Sequence, residues 1–111
     1  MKTSAALLVL LVAAALEAGG DALVRGGLFS QALPRRLILL LLGAAVLFIY
    51  GCVVNLPRWD FGRLLGVYVA AFFVMAQVTN WLGFHQRPTL PIYVGGAMIV
   101  LGGLIITLWK A

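Results

Sequence analysis

The sequence predicts an all-α membrane protein built from four transmembrane helices, and three observations carry that prediction. The 111 residues are 64% hydrophobic and 10% charged, more apolar surface than a water-soluble chain of this size can enclose, because small folds leave a large share of their area exposed. The apolar residues fall into four runs, at about residues 4–24, 37–56, 64–84 and 90–108, each near the ~20 residues that cross a bilayer core of about 30 Å. The eight Lys and Arg stand singly or as one pair at the ends of those runs, where long basic side chains reach lipid headgroups. A net charge of +5 is thereby explained without nucleic acid.

The first run begins after Lys2 and is rich in Ala, which suits a secretory signal peptide. It continues through Gly19 and Gly20 to Val24, however, and at 1.5 Å per residue it reaches about 30 Å, so it is read as a retained first span. Within it, Glu17 and Asp21 lie four residues apart and Arg25 four further on, all on one helical face. An acid near the centre of a span costs roughly 2.5 to 3.5 kcal/mol on insertion scales, so its presence points to function. Asp21 has two readings, a second functional acid or an ion-pair partner of Arg25.

A connection at residues 25–36 follows, with Gly26, Gly27 and Pro34 as breakers and Arg35 and Arg36 as an interfacial pair. The second span carries no charge, Pro57 ends it, and Cys52 within it reads as a small buried residue. The loop at 57–63 mixes Arg58, Trp59, Asp60 and Arg63, with Asp60 as a local partner for its basic neighbours. The third span holds Tyr68, Gln77, Thr79 and Asn80. Tyr68 either stacks on a cation or bonds across helices, and Gln77 and Asn80 read as interhelical hydrogen-bonding groups. His85 opens a short turn as a solvated residue, and the fourth span ends at Trp109 and Lys110, an interfacial anchor.

These spans form a single domain over residues 1–111 with short loops and no room for a soluble module. Four helices enclose little space, so a site built by this chain needs a second copy. Lys2, Arg58, Arg63 and Lys110 fall on one side of the membrane, Arg25, Arg35, Arg36 and Arg87 on the other. Basic residues in short loops set orientation. An even split allows both orientations, as an antiparallel homodimer of dual topology requires; the alternative is a single topology set by some other bias, such as loop length.

With one His and one Cys, a soft-metal site is not expected. No nucleophile is paired with a base and no glycine-rich phosphate loop is present, so neither enzymatic activity nor a cofactor is expected. A carboxylate in a low-dielectric site can hold a proton when empty and release it when a cation arrives, which is the minimum for proton-coupled cation exchange. Glu17 meets that requirement.

Glu17 with Gly20 and Arg25, then Pro57, Gly62 and Arg87, then Gly95 and Gly102, in that order and at this chain length, resemble the small multidrug resistance family of the drug/metabolite transporter superfamily. The resemblance extends over all four spans. It implies a dual-topology antiparallel homodimer in a bacterial-type inner membrane, exporting small organic cations of guanidinium or quaternary ammonium type. Glu17 would bind proton and substrate alternately, with Asp21 and Tyr68 beside it, and Gly95 and Gly102 would form the seam between fourth spans. Small residues seven apart also permit close helix approach in lipid on their own account, between copies or within one chain.

The chain departs from the family pattern in several places. Leu65 and Tyr68 stand where two aromatic residues are usual, the glycine hinge of the third span falls at Ala70 to Phe72, and Tyr50 is the second span's one candidate hydroxyl. Asp21 is an addition. These departures suggest a divergent branch, near the YnfA-like group. Two other readings remain open: a non-transporting structural or assembly subunit of a larger membrane complex, and a lipid-linked sugar flippase subunit, which two acids make unattractive.

Overall fold

The structure, a computed structural model, describes residues 2–109; Lys110, the basic half of the expected C-terminal anchor, lies outside them. Four helices follow in order: α1 (Thr3–Leu28), α2 (Leu33–Val54), α3 (Phe61–Phe84) and α4 (Leu90–Leu108). All four are long and apolar enough to cross a membrane. The chain is a multi-pass membrane protein, and its short connections place the α1–α2 and α3–α4 turns at one end.

The first connection is shorter than the sequence suggests. Gly26 and Gly27 do not break α1, which runs on to Leu28. Pro34 sits in the first turn of α2, where a missing N–H removes no helical bond. In lipid these glycines serve packing. A Cβ on Gly27 would stand 2.9 Å from Leu40 Cγ, one on Gly20 2.7 Å from Leu47 Cδ2, and one on Gly43 3.1 Å from the carbonyl oxygen of Gly20. Three bare positions thus let α1 and α2 approach backbone to backbone as a close hairpin.

At the opposite end, Asp60 caps α3 by accepting the backbone N–H of Arg63 at 2.9 Å. Its partner is therefore an amide, whereas the expectation was a basic side chain. The Arg63 guanidinium lies 4.7 Å from the Trp59 ring centre and donates to the Thr107 carbonyl oxygen at 3.4 Å, tying the start of α3 to the end of α4. His85 ends α3 in the left-handed region, at φ 56° and ψ 33°, exposed in the turn. Cys52 faces outward, contrary to its expected burial.

Helix α1 packs on α2 and on α3, and the backbone of α4 meets that of α3 alone. The bundle is accordingly open, 53 × 34 × 18 Å. Between α1, α3 and α4 lies an apolar gap of about 250 Å³, bordered by Leu7, Leu11, Val67 and Leu104. The accessible surface is 7635 Å², against about 5,900 Å² for a compact monomer of this mass. The buried core sits toward the α1 amino-terminal half, where Leu10, Ala13 and Ala14 meet Val54, Leu64, Val67 and Tyr68.

Candidate functional site

Ala13, Ala14 and Ala18 are buried on α1. Their small side chains let α3 approach, which brings Tyr68 across to Glu17. The Tyr68 hydroxyl donates to Glu17 Oε1 at 2.6 Å, joining residues 51 apart in sequence. That length is at the short end of the O–H···O range. Tyr68 is 5% exposed and Glu17 half-buried. Of the two sequence readings of Tyr68, the hydroxyl bonded across helices is the arrangement present. Tyr50 of α2 stands beside it with ring centres 5.7 Å apart, and Phe72, one turn along α3, stacks at 6.0 Å. A carboxylate thus sits at the meeting point of three helices against a wall of three aromatic rings. Aromatic faces beside a carboxylate are a setting in which a cation can be held.

One turn further along α1, Asp21 borders a cavity of about 180 Å³ between α1 and α3, together with Arg25, Phe72, Thr79, Asn80 and Phe84. Of the two readings of Asp21, the ion pair with Arg25 is not formed: among the described residues no ion pair joins them. The Arg25 guanidinium instead lies 5.2 Å from the Phe29 ring centre and 5.9 Å from that of Phe84. Phe84 comes from the end of α3, so the aromatic attraction ties the two helix ends together. Asp21 remains exposed toward the cavity mouth. Phe72 lines this cavity and also stacks on Tyr68, so the two acids belong to one continuous polar and aromatic region. Thr79 spends its hydroxyl proton on the Met75 carbonyl of its own helix, at 2.9 Å. Gln77 does not make the expected interhelical bond through its oxygen, since Oε1 is buried without a partner.

Sequence reasoning did not find the contributions of Phe72 to the ring wall and of Phe84 to the Arg25 contact. Single aromatics in an apolar run carry no local signal, and their roles depend on which helices become neighbours. On α4, Gly95 and Gly102 have open space where a Cβ would stand, whereas Gly96 and Gly103 are filled by Phe73 and Ala70 of α3. Each glycine pair therefore divides its labour, one residue against the chain's own α3 and one facing away. Among the described residues, no group of three or more His, Cys, Asp or Glu is placed to hold a metal ion.

The chain is similar to a UPF0060 membrane protein of Bacillus licheniformis, at 33% identity over 70 residues. The match covers 62% of this chain and 64% of that protein, so the chain spans a little under two thirds of the relative's length. No family model matches the chain, and no solved structure matches it.

Proposed function

We propose that this protein is a proton-coupled exporter of small organic cations, of guanidinium or quaternary ammonium type, working as an antiparallel homodimer in a bacterial-type inner membrane. The observation that carries the reading is the intramembrane Glu17 carboxylate held by the Tyr68 hydroxyl at 2.6 Å beside the rings of Tyr50 and Phe72. A carboxylate kept in a span at such cost has to exchange its charge partner to be useful. Proton on Glu17 and cation at Glu17 exclude each other, so loading one releases the other. Tyr68 steadies one carboxylate oxygen through the exchange, and the aromatic wall stabilises the cation by about 0.5 to 2 kcal/mol per well-placed ring. Asp21 adds a second acid one turn along α1, at the cavity it shares with Phe72.

The homodimer is supported by the openness of the helix bundle. One copy leaves α4 attached to α3 alone, exposes roughly 1,700 Å² more than a compact chain of its mass, and turns Gly95 and Gly102 to open space. A second copy seated through α4 would put two Glu17 carboxylates in one chamber. One feature favours a different reading, a non-transporting structural or assembly subunit of a larger membrane complex: α3 runs without interruption through Ala70 to Phe72, where a hinge for alternating access would fall. Transport in proteoliposomes separates the two. An imposed pH gradient should drive accumulation of a small guanidinium or quaternary ammonium cation by wild type and not by Glu17→Gln. Wild-type liposomes that accumulate no cation of either type would favour the subunit.

A further inference from the structure

Opposite charges four residues apart on a helix face ordinarily pair. Asp21 and Arg25 do not, although both border the cavity of about 180 Å³ that α3 completes with Phe72, Asn80 and Phe84. The guanidinium is drawn aside by two rings, 5.2 Å from the centre of Phe29 and 5.9 Å from that of Phe84. An aromatic contact leaves its N–H donors without an acceptor. Among the described residues, no ion pair or side-chain hydrogen bond engages the Asp21 carboxylate, the Arg25 guanidinium or the Asn80 amide. Three polar groups therefore line one cavity with their bonding capacity open.

The charges select the occupant. Four residues of helix set the negative and positive ends about 6 Å apart, and between them the α1 wall is only Ala22, with Ala76 across on α3. A carboxylate attracts a guanidinium or ammonium head, and a guanidinium presents its planar fork to a carboxylate. A simple cation drawn to Asp21 is repelled by Arg25, and a simple anion meets the reverse. A dication laid along α1 over Glu17 and Asp21 brings its second charge no relief from Arg25. A molecule with one charge of each sign satisfies both ends, and the amide of Asn80 can donate or accept beside either. The cavity is smaller than the roughly 300 Å³ at which pockets for drug-sized ligands begin, so the molecule is small.

We infer that the Asp21–Arg25 cavity is a binding site for a small zwitterion, with a guanidinium or ammonium head at Asp21 and a carboxylate at Arg25. As cargo, such a molecule rests on the exporter reading above; its binding rests on the cavity alone.

The test is isothermal titration calorimetry on the whole chain in neutral detergent, with three probes that share a guanidinium head and a short carbon chain. 4-Guanidinobutyrate ends in a carboxylate, 4-guanidinobutanamide in a neutral amide and agmatine in an ammonium. The carboxylate should bind about five times more tightly than the amide, the scale of one charge pair at a partly exposed site, and agmatine should bind most weakly. Arg25→Gln should bring the carboxylate and the amide to equal affinity, and Arg25→Lys should keep part of the difference. Asp21→Asn should weaken both, because it faces the head that they share. Arg35→Gln, a basic residue at the same end and outside the cavity, should keep the preference. Far-ultraviolet circular dichroism establishes that each variant is folded. Equal affinity of wild type for carboxylate and amide, no binding of either, or a preference that Arg35→Gln abolishes as fully as Arg25→Gln would overturn the inference. Agmatine bound most tightly would overturn it in favour of a dication held by Glu17 and Asp21. The preference for 4-guanidinobutyrate in a protein that moves no cation in proteoliposomes would uphold the site and remove the exporter reading, whereas cation transport without the preference would do the opposite.

Discussion

Two glycines of α2 should respond oppositely to the same added methyl group. At Gly43 a Cβ would stand 2.6 Å from Val24 Cγ2 and 3.1 Å from both the Gly20 carbonyl oxygen and the Val24 nitrogen. Two of these three atoms are backbone, so no rotamer change relieves the contact and α1 must move away from α2. At Gly51 nothing lies within 4 Å. Replacing glycine by alanine inside a helix gains roughly 0.5 to 1 kcal/mol at either position, and overpacking a tight site costs about 1 to 3 kcal/mol. The propensity gain is common to both, so Gly43→Ala should be less stable than Gly51→Ala by about 1 to 3 kcal/mol, with Gly51→Ala at or slightly above wild type. The assay is reversible unfolding by dodecyl sulfate in mixed micelles, followed by circular dichroism. Equal stability of the two variants within about 0.5 kcal/mol, the scale of a neutral surface change, would refute the backbone-contact account of the α1–α2 hairpin.

Other substitutions test other joints. Asp60→Ala should lower stability by about 1 kcal/mol through loss of the cap on the Arg63 amide, measured by the same unfolding assay. A double-mutant cycle on Asp21→Asn and Arg25→Gln should give a coupling under about 0.5 kcal/mol, because Arg25 rests on Phe29 and Phe84; pairing Arg25→Gln with Phe84→Leu should give about 0.5 to 1 kcal/mol. Gly102→Val should shift the monomer–dimer balance toward monomer with little change in monomer fold, whereas Gly103→Val should disturb α3–α4 packing itself; analytical ultracentrifugation in density-matched detergent separates the two. A reporter fused to the C-terminus should be detected on both membrane faces if the even split of basic residues sets dual topology.

The four helices were legible because composition and run length alone force spans in a bilayer. Glu17 was legible because an acid in an apolar run is costly wherever its helix packs. Its partner could be ranked but not assigned: Tyr68 is 51 residues away, and local periodicity is silent on whether α1 lies beside α3. Which of its two readings Asp21 follows was closed to the sequence for the same reason. Helical spacing permits the pair with Arg25, but Phe84 arrives from another helix and competes for the guanidinium. Gly26 and Gly27 misled through a rule of soluble proteins, where glycine weakens helices; in lipid, bare positions are where helices meet. Cys52 turned outward because burial in a span is set by neighbouring helices, and an apolar stripe has no polar side to contrast with it.

Glu17 as a site shared by proton and cation is the claim on which the functional account stands, and proton release reads it most directly. Purified wild-type protein in weakly buffered detergent solution, titrated with guanidinium, quaternary ammonium and polyamine salts, should release protons on adding at least one of them, and Glu17→Gln should release none. Release that persists undiminished in Glu17→Gln, or folded wild-type protein that releases no proton with any cation, would contradict the account.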